Sequence, residues 1–572
     1  MSVVPVARGH HHVVSAGHEL ATLAAFEALE NGGNAIDAGV AAILTLGVVY
    51  SDQVSVAGVA PMIVRLAETG EVVTIAGVGG WPQALDAEAF IQRHGGEIPL
   101  GVRRTVVPAA PDACIQALER WGTMAFRDVA ARAVRYACEG FPRHPVMLDY
   151  VQKYADDFRH WPENVAIWMP GGTVPQPGER LVQRDLGRIL QFLCDEERAA
   201  GDDRMAGLAA VRRAFYRGDI ASHILAHQKA EDGLLAADDL ASFRCQVVPS
   251  VSRRFRLGGE EVEIHTCGAW CQGPFLLEAL SIAEAAGVAA QEHGSDGYLH
   301  TIAETLKLTF ADREGYLGDP DFVDVPLDTL LGRPYAAERS RAIDPHKASP
   351  GMPRPGMIPG HEPHVPPVAA SEAALGPPPD TSIVCVIDAD GNGLCSTPSD
   401  TSWDTPVVPG CGLAVSSRGA QSRAVRGHPS CIAPGKRPRL TPNPCFALSP
   451  GRWIMPFGTP GGDTQIQANL QTLLGHLVFG MALQDAVEAP RLVTHSHPDS
   501  FAPNAAYPGL VTIEGRIDEA TGERLAARGH RIERLGDWSH WTGGVCAVRK
   551  DLETGAIEGA ADPRRMSRAL GW

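Results

Sequence analysis

Thr381 stands where the texture of the chain changes, and a threonine in that position has a chemistry of its own. The 35 residues from Pro345 to Pro379 hold 11 of the 44 prolines, a composition that favours an extended, solvated backbone. After Asp380 the sequence becomes Thr381-Ser382-Ile383-Val384-Cys385-Val386-Ile387, an apolar run with the look of a strand. Cleavage of the Asp380–Thr381 peptide would leave Thr381 with a free α-amine beside its own hydroxyl, which places a nucleophile and a base in one residue. A linker followed by an edge strand has the same local appearance, and these residues alone leave both readings open.

The bulk composition narrows the function classes. With 572 residues, 44% hydrophobic and 20% charged, the chain is a soluble globular protein with more than one lobe by length. A formal charge of -17 argues against nucleic acid or an anionic membrane as the main partner. The basic cluster Lys436-Arg437-Pro438-Arg439 reads as a solvated loop. The start, Met1 to Arg8, lacks the basic end and apolar core of a signal peptide, and no run of about 18 apolar residues predicts a membrane span. The expected location is the cytoplasm, with the 12 scattered cysteines as reduced thiols. Cys267 and Cys271 lie among glycines, and His10-His11-His12 point in different directions on a strand. No metal site and no cofactor are expected from them.

The elements that must position Thr381 are legible in part. Val13-Val14-Ser15 reads as a strand. Glu19 to Glu30 reads as a helix stopped by Asn31-Gly32-Gly33. Asn34 caps a second, buried helix through Val49. Met62 to Leu66 and Val72 to Ile75 flank a turn at Glu68-Thr69-Gly70. From Asp112 to Arg341 the pattern is mainly helical. Its best helix is capped by Ser295 and runs through Asp312, with Leu299, Ile302, Leu306 and Phe310 on one face. Beyond Thr381 a strand through Ile387 turns at Asp390-Gly391-Asn392 and returns through Thr397. Gly412 to Val415 reads as a short strand. Gly458-Thr459-Pro460-Gly461-Gly462-Asp463 is a glycine-rich loop opening a helix from Thr464 to Leu477. Gly544 to Val548 and Ala556 to Gly559 form a last hairpin.

Several of these stretches together resemble the γ-glutamyltranspeptidase family of N-terminal-nucleophile hydrolases. They are Asn31 to Ala38, Phe310-Ala311-Asp312-Arg313 with Gly318-Asp319-Pro320, Asp380-Thr381-Ser382 leading to Asn392, Thr459-Pro460-Gly461-Gly462, Asp485 to Arg491, and Asp562-Pro563-Arg564-Arg565. Six matches in the family's order span most of the chain. The resemblance implies an α+β fold, a four-layer αββα sandwich made as one precursor. Self-cleavage would give a large subunit, 1–380, and a small subunit, 381–572, both contributing strands to one composite domain, with a homodimer of these as an option. It implies Thr381 as nucleophile and α-amine base, backbone N–H groups of Gly461 and Gly462 as the oxyanion hole, and Ser399 or Thr397 as a supporting hydroxyl. Two strand hydroxyls facing solvent are the alternative for that last pair.

The substrate contacts depart from the family pattern. Val78 falls where the family's carboxylate-binding Arg stands, and a valine cannot replace a bidentate guanidinium. The family's serine pair corresponds to Leu440-Thr441, and its acid for the α-amino group falls near Gln421. Arg418 is a candidate replacement charge or an exposed surface residue, and Trp270 either lines the pocket or packs the core. The aromatic lid of some members is not evident near Asp400. The expected activity is hydrolysis of a small or medium amide through an acyl-Thr381 intermediate. A true γ-glutamyl transferase is the alternative, and an inactive relative acting as a binding protein is a third reading.

Overall fold

Two stacked, seven-stranded sheets carry the candidate nucleophile in this computed structural model, which describes residues 2–365, 370–372, 374–376 and 381–572. In chain order their strands are β1 (Ala7–Gly9), β2 (Val13–Ala16), β3 (Met62–Arg65), β4 (Val72–Ile75), β5 (Val247–Pro249), β6 (Val251–Leu257), β7 (Glu260–Thr266), β8 (Val384–Ile387), β9 (Gly393–Ser396), β10 (Cys445–Ser449), β11 (Trp453–Gly458), β12 (Cys546–Asp551), β13 (Ile557–Ala561) and β14 (Arg568–Gly571). One sheet runs β1-β13-β12-β11-β10-β7-β6 and the other β14-β2-β8-β9-β3-β4-β5. All their pairings are antiparallel.

The sheets are held face to face by Val13, Ile63, Ile383, Cys385 and Ile387 from one and Phe446, Ile454, Cys546 and Val548 from the other. The alternate residues of β8 and β9, Val384, Val386 and Leu394, point outward into a helical layer. That layer includes α1 (Glu19–Glu30), α2 (Ala35–Val49) and α3 (Phe126–Glu139). On the opposite face α4 (Gly273–Ala285), α5 (Asp296–Tyr316) and α6 (Thr464–Leu473) cover Ile264, Ala447, Met455 and Phe457. The order of layers is helix, sheet, sheet, helix.

Local chemistry sets the register of the nucleophile strand. Asn34 and Asp37 form a capping box at the start of α2. The Ala35 N–H donates to Asp388 Oδ2 at 2.9 Å, which fastens that helix end to the turn after β8. Both sheets draw strands from either side of residue 381. A cut before Thr381 would leave two pieces sharing one core.

Three expectations need correction. The stretch read as mainly helical contains β5, β6 and β7. Ser252, Arg254 and Arg256 lie outward on β6 while Phe255 and Leu257 are buried, so the alternation sits under charge, and Gly258 and Gly259 make the turn at positive φ. Helix α5 runs on to Tyr316 and is buried all round from Tyr298, with its charged residues Glu304, Lys307, Asp312, Arg313 and Glu314 in ion pairs rather than solvated. The cluster from Lys436 to Arg439 is also buried, with Arg437 on Asp319 and Arg439 on Glu314. Asp380, the expected cleavage partner, lies outside the described residues, as do 366–369, 373 and 377–379 of the proline-rich segment.

Candidate active site

Thr381 sits just before β8, 1% exposed, and pairs with Ser399 across a β-bridge. The two side-chain oxygens are 2.8 Å apart. Arg418 Nη2 donates to the same Ser399 Oγ. Arg418 is fully buried rather than exposed. It starts a 3-10 turn, Arg418–Gln421, and its guanidinium lies 5.0 Å from the Phe501 ring centre. Asp400 completes this group, accepting Ser416 Oγ at 2.6 Å, Ser417 N at 3.0 Å and Ser417 Oγ at 2.9 Å. Burial pushes the Asp400 carboxyl up and Arg418 pulls it back. Of the two candidate support hydroxyls only Ser399 bonds to Thr381. Thr397 is buried as well, and its Oγ1 has no partner among the described residues. Neither hydroxyl faces solvent.

The glycine loop follows β11. A Cβ at Gly458 would lie 2.8 Å from Ile383 Cδ1, so the strand ends against the residue two after Thr381. Gly461 (φ +120) and Gly462 (φ +54) occupy the backbone region that L side chains avoid. Their carbonyls are tied down: Gly461 O accepts Thr464 N at 2.9 Å, and Gly462 O accepts Gln465 N and Gln272 Nε2, both at 3.2 Å. Among the described residues no acceptor takes the N–H of Gly461 or Gly462. Two free donors beside the N-terminus of α6 are suited to a developing oxyanion.

Asp463, next in the loop, is buried and accepts Ser500 N and Ser500 Oγ at 2.7 Å each, and Arg313 Nη1. Burial alone would raise its carboxyl, but Arg313 and His497 hold it at about 2. Arg313 also donates to Gln272 Oε1 at 2.8 Å and Glu314 Oε1 at 3.2 Å. Glu314 collects Arg439 at 2.6 Å and Arg423 at 3.1 Å. Burial works against that carboxylate, and these arginines take it well below its ordinary range. The loop after Asp499 joins the two halves of the site: Ser500 binds Asp463, Phe501 packs on Arg418, and Ala502 N donates to Ala420 O at 2.9 Å.

The remaining wall is neutral. Val78 and Trp270 pack together with Val59, Ala76, Cys267, Cys271 and Leu440. Val59 connects that apolar cluster to the nucleophile, because it pairs with Ser399 through N–H···O bonds of 3.1 and 2.9 Å. Gln421 Nε2 donates to Thr441 Oγ1 at 2.7 Å, and Thr441 N returns a bond of 3.3 Å to Gln421 Oε1. Position 78 is apolar and positions 421 and 441 carry uncharged groups that satisfy each other. An aromatic does lie near Asp400: Trp403 stacks on Tyr154 with ring centres 4.2 Å apart.

Asp400, Gln272, Arg313, Asp463 and Ser500 were not singled out from sequence. Arg313, inside one matched motif, and Asp463, directly after another, carried a signal, but nothing in the chain order announces that they meet. Elsewhere His300, Glu304 and His530 bring ligand atoms within 4.8 Å of one another. Lys307 Nζ already holds Glu304 Oε1 at 2.7 Å, so a cation fills that position.

Two facing sheets between helical layers, a threonine at the head of an inner strand and a donor-rich glycine loop at the end of a facing one define an N-terminal-nucleophile hydrolase. The sequence profile described as Gamma-glutamyltranspeptidase matches residues 21–572, and the chain belongs to that family. It is 29% identical over 567 residues to the glutathione hydrolase-like YwrD proenzyme of Bacillus subtilis (strain 168), covering 98% of this chain and 99% of that one. The solved structure of LmbA2991HD superposes with a TM-score of 0.91 at 32% identity, covering all of both chains. The cephalosporin acylase from Bacillus halodurans gives 0.83 at 26% identity, covering 100% of this chain and 98% of that one.

Proposed function

We propose that this protein is a self-processing amidohydrolase that transfers the acyl group of a small or medium amide to Thr381 and then to water. The observation that carries the reading is the contact of Thr381 Oγ1 with Ser399 Oγ at 2.8 Å, beside a loop whose two glycine N–H groups are unclaimed among the described residues. In the precursor, Thr381 Oγ attacks the Asp380 carbonyl, the C–N bond to the Thr381 nitrogen breaks to leave an ester and a free α-amine, and water opens that ester to the Asp380 carboxylate and the Thr381 hydroxyl. In the processed enzyme the α-amine, with an ordinary pKa of about 7.7–8.0, takes the hydroxyl proton directly or through a water. The oxygen adds to the amide carbon and Gly461 and Gly462 N–H receive the oxyanion; collapse breaks the amide C–N bond, the leaving amine takes the proton from the α-ammonium, and water then hydrolyses the acyl-Thr381 ester to free the acid and restore the hydroxyl. Arg418 Nη2 donates to Ser399 Oγ, and the Ser399 hydroxyl so held shares its hydrogen bond with Thr381 Oγ1 and steadies the nucleophile.

The substrate is not held as a γ-glutamyl group. Val78, Gln421 and Thr441 supply neither the cation nor the anion that an amino-acid head needs, a loss of about 2–5 kcal/mol. Arg418 is engaged by Ser399 Oγ and lies 5.0 Å from the Phe501 ring centre. The likeness to an acylase supports an amide without a glutamyl head. Glutathione hydrolysis is the second reading, favoured by the name of the Bacillus subtilis relative. The deciding experiment is mass spectrometry of the processed small chain after exposure to a panel of amides. An adduct on Thr381 from a non-glutamyl amide is expected. Rapid release from a γ-glutamyl anilide, with no adduct from the other amides, would reverse the order of the two readings.

A further inference from the structure

The two carbonyls of the glycine pair are anchored on the helix side of the loop, and a planar trans peptide places its N–H on the edge opposite its C=O. The bond from Thr464 N to Gly461 O therefore turns the Gly462 N–H away from α6. The next peptide, Gly462–Asp463, is fixed from outside the loop by one side-chain donor, Gln272 Nε2, on Gly462 O at 3.2 Å, which restricts rotation about the Gly462 backbone and so holds the preceding Gly462 N–H in place. Gln272 is 1% exposed and its amide is fully used. Nε2 also donates to Thr441 O at 2.9 Å, Oε1 accepts Arg313 Nη1 at 2.8 Å, and its backbone N–H donates to Leu440 O at 2.9 Å. A guanidinium has no acceptor, so Arg313 dictates which end of the amide faces it and leaves the NH2 end for Gly462.

We propose that Gln272, oriented by Arg313, is a positioning residue that aims the oxyanion loop and links it to the acyl-binding wall. The link is continuous: Gln421 to Thr441 at 2.7 Å, Thr441 O to Gln272 Nε2 at 2.9 Å, and Gln272 Nε2 to Gly462 O at 3.2 Å. A group that displaces Gln421 from Thr441 is felt at Gly462 through a single side-chain amide. Asp463 reinforces the arrangement from the other end, through Arg313 and Ser500. The proposal rests on Thr381 acylation as the function of this site.

The test uses the full chain and the best amide from the panel, with kcat, KM, melting temperature and Thr381 adduct formation measured together. Gln272→Met removes the donor without burying a charge, and Gln272→Glu keeps an acceptor for Arg313 while losing the donor. Both are expected to process, to retain KM within about threefold, and to lose about 10–100-fold in kcat, less than removal of an oxyanion donor itself. The loss in kcat is expected to be similar in the two variants while their melting temperatures differ, which a merely structural role would not produce. Unchanged kcat, a rise in KM that accounts for the whole loss, or failure of both variants to fold would overturn the positioning role. Absence of a Thr381 adduct in the unaltered enzyme would instead overturn the functional reading on which it rests.

Discussion

At the scale of single residues the site contrasts with its surroundings in how each hydroxyl is used. Thr381 and Ser399 share a contact, Ser399 is engaged by Arg418, and the hydroxyls of Ser416 and Ser417 bind Asp400. Thr381→Ala is expected to abolish processing and turnover, whereas Thr381→Ser retains a hydroxyl and should process slowly with some activity. The gel and the amide assay together check both, and a fully inert serine variant would contradict the role given to the oxygen. Ser399→Ala should still process but lose about 1.5–3 kcal/mol of barrier stabilisation, roughly 10–160-fold in kcat. Equal rates in that variant would leave the nucleophile without its proposed partner.

At the scale of elements, the glycine loop and the Asp499 loop are the parts whose conformation matters. Gly462→Val places a β-branched residue at φ +54 and should cost about 1–3 kcal/mol in strain while removing most turnover, because the N–H no longer points into the site. Retained kcat would exclude the loop from the chemistry. The Asp499 loop has a distinct pH signature. Burial, then the neighbouring Asp463, pushes the Asp499 carboxyl up to about 7. Its folded pKa lies above the ordinary value, so the native state holds a proton that the unfolded state has released. Stability from this residue is present at low pH and is lost as pH rises from about 4 to about 7. Asp463 has the opposite sign: held at about 2, it contributes above about pH 4 and loses that contribution as pH falls toward 2. Melting curves of Asp499→Asn against the parent should converge at about pH 4 and diverge by pH 7, with the variant the more stable. Parallel curves across that range would show that the carboxyl is not the cause.

At the scale of the whole molecule, interleaved strands make cleavage and separation different events. Processing should split the 60.8 kDa chain into pieces of roughly 40 and 20 kDa on a denaturing gel. The pieces should still co-elute in native buffer, because β8 to β13 lie between strands that precede residue 381. A single intact band after long incubation would favour a binding protein over an enzyme.

Much of the architecture was legible along the chain because its signals are local. The cap at Asn34, the turn at Asp390-Gly391-Asn392, the apolar run of β8 and the glycine loop each depend on a few neighbouring residues and on backbone sterics. Thr381 stood out on those grounds, and the resemblance to the family gave it, Gly461 and Gly462 their roles. The strands β6 and β7 were hidden because outward arginines and glutamates mask their alternation. The sequence by itself determined which chemistry is available, a threonine at the head of an inner strand and a loop able to bend back its amides. Only the tertiary structure decided which partners the charges meet: Arg418 against Ser399, and Arg313 bridging Gln272 to Asp463 across 41 and 150 residues of chain. Burial makes such pairs obligatory, since a charge withdrawn from water must find its partner, but the order of residues does not say which partner the folded chain will bring.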